Sequence, residues 1–172
     1  MEARSLVAGG VLIGAGTITT YRQVEAAVAA GADLLVSPHL DTTLLDSMVS
    51  TGLLSLPGVL IPSEVAAALG AGATVVKLFP AATVGLGHLR ALHGPFPDLQ
   101  VVPTCGVAPD TASAWLDAGA LAIGLRSELV PADLLRAQAW EEIAEKAVGL
   151  PRDLGCARVQ ATDSHCGKGA RI

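Results

Sequence analysis

Aromatic residues are nearly missing from this chain: they make up 3% of its 172 residues, with two tryptophans, one tyrosine and two phenylalanines. A core built without rings must be filled by Ala, Val, Leu and Ile. Charge is scarce as well, at 16% against 51% hydrophobic residues. That imbalance suits strands covered on both faces, as in parallel α/β folds, rather than a sheet with one wet face. No Lys/Arg cluster is present and the net charge is −5, which argues against a nucleic-acid partner. The three cysteines, Cys105, Cys156 and Cys166, form no disulfide framework, and their odd number suits a reducing cytoplasm. Cys156, His165 and Cys166 include no C-x-x-C pair, so no metal and no other cofactor is assigned. No apolar stretch is long enough to span a bilayer. Met1-Glu2-Ala3-Arg4 and the uncharged residues 5–21 have the outline of a secretory leader. Gly9, Gly10, Gly14 and Gly16 make that stretch a poor apolar helix, and it reads instead as a strand with its exit loop.

What is present is a repeat of short apolar runs and Ala/Leu-rich helical patterns, in a length that suits one domain. Strands are expected at residues 10–14, 34–37, 56–61, 74–79, 100–104 and 121–125, each separated from the next by enough chain for a crossover helix. Thr20 with Gln23 forms a candidate capping box. Asp41, Ser63 and Asp110 are candidate helix starts, and Pro131 suits a first helical turn. An Ala-Gly-Ala sequence, centred on Gly31, Gly72 and Gly119, closes three of the helices. An open doubly wound sheet and a (β/α) barrel both fit. Residues 14–19 lack the third glycine of a dinucleotide fingerprint. In either architecture chemistry sits at the carboxyl ends of the strands. The repeat stops near Gly149, so residues 1–149 are read as the folded unit and 150–172 as an irregular tail.

Polar residues at strand ends are therefore the candidates for chemistry. In Thr74-Val75-Val76-Lys77-Leu78-Phe79-Pro80, a period of two sends Val76 and Leu78 to one face and Val75, Lys77 and Phe79 to the other. An amine desolvated on the inner face has a lowered pKa and becomes a nucleophile toward carbonyls. A snorkelling or ion-paired lysine is the competing reading. Thr17 lies just past the first strand, where it either binds a carboxylate or caps the turn. Ser37-Pro38-His39 ends the second, with His39 a possible proton carrier or merely solvated. Thr104-Cys105-Gly106 and Gly124-Leu125-Arg126-Ser127 are short loops after the last two strands. Such loops often hold phosphate, and Arg126 adds a charge suited to an oxyanion.

Taken in order, Gly14-Ala15-Gly16-Thr17, Ser37-Pro38, Leu56-Pro57-Gly58 with Ser63-Glu64, Lys77-Leu78-Phe79-Pro80-Ala81, Gly94-Pro95-Phe96, Pro103-Thr104 with Gly106, and Val130-Pro131-Ala132-Asp133 resemble the 2-keto-3-deoxy-6-phosphogluconate (KDPG) aldolase family. That family also includes enzymes acting on 4-hydroxy-2-oxoglutarate. The resemblance covers roughly Val11 to Val148. It implies a (β/α)8 barrel, usually a homotrimer in the cytoplasm, that cleaves its keto-acid substrate to pyruvate and an aldehyde without metal. Lys77 matches the Schiff-base lysine, Thr17 and Pro38 the pyruvate pocket with Phe79 beside the lysine in its wall, and Thr104, Gly106 and Ser127 the region around the distal phosphate, where Arg126 is added as a candidate anion contact.

The resemblance also implies an incomplete TIM-type α/β barrel, with about six of eight strand–helix units. The first strand here matches the family's third, and the family's Glu-x-Thr-x-Arg strand, which provides a general base and a carboxylate-gripping arginine, has no match. Cys105 stands where the family usually has glycine, and Arg126 stands in or beside its glycine-serine loop. The leading expectation is a class I aldolase. The alternatives are an inactive remnant that binds a phosphate or carboxylate ligand or a full-length paralogue, and a phosphosugar-binding barrel enzyme that uses Lys77 only as a charge.

Overall fold

The computed structural model describes residues 11–153. Its strands are β1 (Gly14–Ala15), β2 (Leu34–Val36), β3 (Leu54–Leu56), β4 (Gly58–Val59), β5 (Val76–Leu78) and β6 (Val101–Pro103). All pair in parallel, in the orders β1-β2-β3 and β4-β5-β6. The helices are α1 (Tyr21–Ala29), α2 (Thr42–Val49), α3 (Pro62–Gly70), α4 (Ala81–Leu92), α5 (Ala112–Asp117), α6 (Ala132–Ala137) and α7 (Trp140–Asp153), with a 3-10 turn at Pro109–Thr111 before α5. Within each trio every strand lies beside its predecessor in sequence. Among the described residues the order never reverses, as it does at the switch point of a doubly wound sheet.

Pro57 divides the third expected strand. Its missing N–H interrupts the ladder, so Leu54–Leu56 pairs only with β2 and Gly58–Val59 only with β5. The carbonyls on either side of the break stay in use: Ser37 N–H donates to Leu56 O at 3.0 Å, and Lys77 N–H donates to Pro57 O at 2.9 Å. The strand thus passes from one neighbour to the other at a residue that cannot donate.

Helix boundaries follow side-chain chemistry. Thr20 and Gln23 form the expected capping box, and Asp41 Oδ1 accepts from Thr43 N–H and Leu44 N–H at the start of α2. At each Ala-Gly-Ala the glycine is left-handed, with φ of 79° at Gly31, 88° at Gly72 and 107° at Gly119. The following alanine N–H reaches back five residues, from Ala32 to Ala27 O, Ala73 to Ala68 O and Ala120 to Trp115 O. This is the Schellman pattern, used three times.

Several expected boundaries need correction. Ser63 does not start α3: the helix begins at Pro62, whose fixed φ suits a first position, and Glu64 Oε2 reaches back to accept from Leu60 N–H and Ile61 N–H. Asp110 lies in the 3-10 turn, and α5 starts at Ala112. Pro131 caps α6 from outside its first turn. The strand expected at 10–14 is observed at Gly14–Ala15, and the one at 121–125 is reduced to a parallel bridge between Gly124 and Thr104. Helix α7 continues to Asp153, into the stretch expected to be irregular. The rest of that tail, with Cys156, His165 and Cys166, lies outside the described residues.

Two apolar clusters hold these elements together. The smaller gathers Ile18, Val24, Ala27, Leu35, Leu44 and Met48 beneath β1 and β2. The larger gathers, among others, Val59, Val65, Ala68, Val76, Leu78, Leu89, Val101 and Trp115 around β4 to β6. Helix α2 joins them, with Leu44 and Met48 in the first cluster and Leu45 in the second. No helix among the described residues is long and apolar enough to cross a membrane.

Candidate active site

The alternation in β5 is as the sequence suggests. Val76 and Leu78 are fully buried in one cluster with Val65 and Ala68 of α3 and Leu89 of α4, which leaves Lys77 on the opposite face of the strand. Paired residues of parallel strands share a face, so Gly58 on one side and Val102 on the other flank Lys77 there. Lys77 is partly buried, and that burial lowers its pKa from the ordinary value of 10.5, while the nearby Cys105 acts in the opposite direction. Its Nζ lies 4.2 Å from the centroid of the Phe79 ring, two residues further along the same face.

Gly58 explains how Pro38 reaches this face. A Cβ at Gly58 would fall 2.4 Å from Pro38 C and O and 2.7 Å from His39 N, so the Pro38–His39 backbone occupies the space that a side chain beside Lys77 would fill. The turn is fixed by Ser37, whose Oγ donates to His39 O at 2.7 Å and accepts from His39 N–H at 3.3 Å. His39 itself is exposed. Thr17, in the exit loop of β1, is exposed and has φ of 60°, an unusual conformation for a β-branched residue. Such outliers concentrate at functional sites.

Thr104 follows Val102 by two positions and so faces the same side as Lys77 and Phe79. Its Oγ1 is buried without a hydrogen-bond partner in the described structure. The bridge partner Gly124 must lack a side chain, because a Cβ there would fall 2.3 Å from Thr104 Cγ2. Cys105 and Gly106 then turn the chain with φ of 70° and 81°. A left-handed conformation at Cys105 is the physical reason glycine would be favoured there. Gly106 also has a packing role, since its Cβ would meet that of Ala82 in the first turn of α4. Arg126 and Ser127 are exposed, and Ser127 Oγ donates to Glu128 Oε2 at 3.1 Å. The structure therefore collects Lys77, Phe79, Pro38 and Thr104 on one face, with Thr17, Gly106, Arg126 and Ser127 in exit loops at the same strand ends. No group of three or more His, Cys, Asp or Glu among the described residues is placed to hold a metal.

The sequence reading did not anticipate the obligatory Gly58 or the direct contact between the Phe79 ring and the Lys77 amine. A glycine two residues into an apolar run was the available signal for the first. It also missed His88, whose Nε2 donates to Leu60 O at 2.6 Å and ties α4 to the exit of β4.

Residues 4–146 match the family model described as KDPG and KHG aldolase. The chain belongs to this aldolase family. It is 36% identical over 137 residues to the 2-dehydro-3-deoxy-phosphogluconate aldolase of Pseudoalteromonas atlantica, covering 79% of this chain and 64% of that protein. It is 35% identical over 137 residues to the 2-dehydro-3-deoxy-6-phosphogalactonate aldolase of Escherichia coli, covering 79% of this chain and 65% of that one. The chain thus spans less than two thirds of the length of these curated relatives. Among solved structures it is similar to the KDPG aldolase of Legionella pneumophila, with a TM-score of 0.77 and 33% identity over 82% of this chain and 69% of that chain. That aldolase was captured with pyruvate as a covalent carbinolamine.

Proposed function

We propose that this chain is a Schiff-base aldolase of 2-keto-3-deoxy sugar acids, built on an incomplete (β/α) barrel with Lys77 as the nucleophile. A 6-phosphorylated substrate such as KDPG would give pyruvate and glyceraldehyde 3-phosphate, and 4-hydroxy-2-oxoglutarate would give pyruvate and glyoxylate. The observation that carries the reading is the state of Lys77. Its amine lies on the strand face opposite the helix-packed Val76 and Leu78, between Gly58 and Val102 and 4.2 Å from the Phe79 ring centroid, and partial burial there lowers its pKa.

The chemistry follows from that amine. The neutral nitrogen adds to the substrate ketone carbon while the ketone oxygen takes up a proton, giving a carbinolamine, and loss of water gives an iminium. The bond between C3 and C4 then breaks, its electron pair passing toward the iminium to form an enamine. The C4 hydroxyl gives its proton to a base and becomes the aldehyde. Protonation of the enamine at C3 and hydrolysis release pyruvate and restore Lys77.

The Pro38 backbone beside Gly58 would wall the pyruvate end, with Thr17 binding its carboxylate. The unpartnered Thr104 hydroxyl, which faces the same side as the amine, is suited to a substrate oxygen. Gly106, Ser127 and the cationic Arg126 would receive the distal anion.

Incubation with pyruvate and sodium borohydride, followed by peptide mass analysis, tests this reading. A reduced adduct on the peptide containing Lys77 is expected. Folded protein that turns over a keto-acid substrate without an adduct would assign Lys77 a purely electrostatic role, and folded protein with neither adduct nor turnover would leave a ligand-binding remnant.

A further inference from the structure

Phe79 is more than a wall of this site. The chain has few aromatic rings, yet one of them stands two residues after Lys77, on the same face of the same strand, with its centroid 4.2 Å from Nζ. At that separation the ring quadrupole attracts a cation and has no comparable attraction for a neutral amine. The surroundings otherwise carry little charge. On this face β4 presents Gly58 and β6 presents Val102, and the loop after β2 presents the Pro38 backbone. Cys105, after β6, is the titratable group that acts on Lys77, while His39 and Arg126, in the exit loops after β2 and beyond Gly124, are exposed.

We propose that Phe79 is a positioning residue whose ring face holds the Lys77 ammonium in the resting site, so that losing the proton also releases the nitrogen for attack on the keto acid. This rests on the Schiff-base reading of Lys77 and deepens it: the side chain that confines the amine also sets how much of it is free at a given pH. Burial and the ring act in opposite directions. Burial favours the neutral nucleophile, whereas the ring retains the cation and limits premature loss of charge.

The sign of one substitution separates a ring that binds the cation from a merely apolar wall. Phe79→Leu keeps an apolar side chain and removes the quadrupole. The pH midpoint for borohydride trapping of pyruvate should then fall by about half a unit. Phe79→Tyr should leave the midpoint near that of the unmodified protein, and Phe79→Trp should raise it. An unchanged or raised midpoint in Phe79→Leu overturns the proposal. If Phe79→Leu does not fold, as judged by circular dichroism, the Tyr and Trp variants decide, and identical midpoints overturn it.

A second readout needs no keto acid. The carbon-13 NMR shift of the Lys77 Cε, followed through a pH titration, should give the same order of midpoints. Variant-dependent titration without trapping would defeat the Schiff-base reading alone. Trapping with midpoints that ignore the ring would defeat the role of Phe79 alone.

Discussion

The two halves of the sheet are built to different standards. Around β4 to β6 the helix-facing strand residues Val76, Leu78 and Val101 are fully buried, and α3, α4 and α5 close over them. Around β1 to β3 the helix-facing Leu35 is equally buried, but the cluster is smaller, and on the opposite face, where Lys77 and Val102 are partly buried in the other half, Leu54 remains 41% exposed. Lys77 belongs to the half with the larger core. The loops proposed to bind the pyruvate end, at Thr17 and Pro38, extend from the other. A nucleophile must be held in a fixed, dry position, because both its pKa and its angle of approach depend on it. A loop that binds a carboxylate through backbone and hydroxyl groups tolerates a less rigid base.

The sharpest way to break this comparison is to remove the amine itself. Lys77→Met should abolish the reduced pyruvate adduct entirely while leaving the circular dichroism spectrum intact. In the unmodified protein the rate of trapping should rise with pH with a midpoint below the ordinary lysine value of 10.5, because burial disfavours the ammonium. The corresponding stability term has a definite sign. The unfolded chain binds the Lys77 proton more tightly than the folded one, so between the lowered pKa and 10.5 the unmodified protein should gain stability relative to Lys77→Met as pH rises.

Next come the cores. Leu89→Ala should cost about 3 kcal/mol or more, and Met48→Ala nearer 2 kcal/mol, because the more open half can relax around the gap. Denaturant unfolding measures both, and the reverse order would defeat the contrast drawn between the halves. Gly58→Ala should cost about 2 kcal/mol by forcing the Pro38–His39 backbone away. It should also reduce pyruvate trapping more than Leu89→Ala does at equal loss of stability, since it acts where the two halves meet beside Lys77. The smallest effect expected is that of Thr20→Ala, which removes the cap of α1 in the less buried half and should cost about 1 kcal/mol in the same unfolding experiment.

Much of this was legible in local sequence. The alternation around Lys77 told its face, because only one of the two sets of residues in that strand is suited to packing on helices. Thr20 with Gln23, Asp41 and the three Ala-Gly-Ala turns were readable for a similar reason: each satisfies backbone groups within a few residues, by chemistry that does not depend on the rest of the chain. Ser63 misled because Pro62 offers a better first position and Glu64 does the capping from inside the helix. Residues 121–125 misled because an apolar run shows that a segment can pair, not how much of it a neighbour will meet. In the site, Thr17, Pro38, Thr104 and Gly106 could be named from strand-end position and family resemblance, but not their reasons. The close approach over Gly58 and the unpartnered Thr104 hydroxyl involve residues distant in sequence.

By itself, then, the sequence determined the repeating strand–helix units, the helix stops and the face from which the lysine projects, because these depend on periodicity and on hydrogen bonds closed within one or two turns. Only the tertiary structure decided that Pro57 hands the third strand from one neighbour to the next, that the Pro38 backbone fills the space beside Lys77, and that the amine rests on the Phe79 ring. Those arrangements depend on register between strands and on the volume left when separate elements meet, and neither quantity is a property of any one segment.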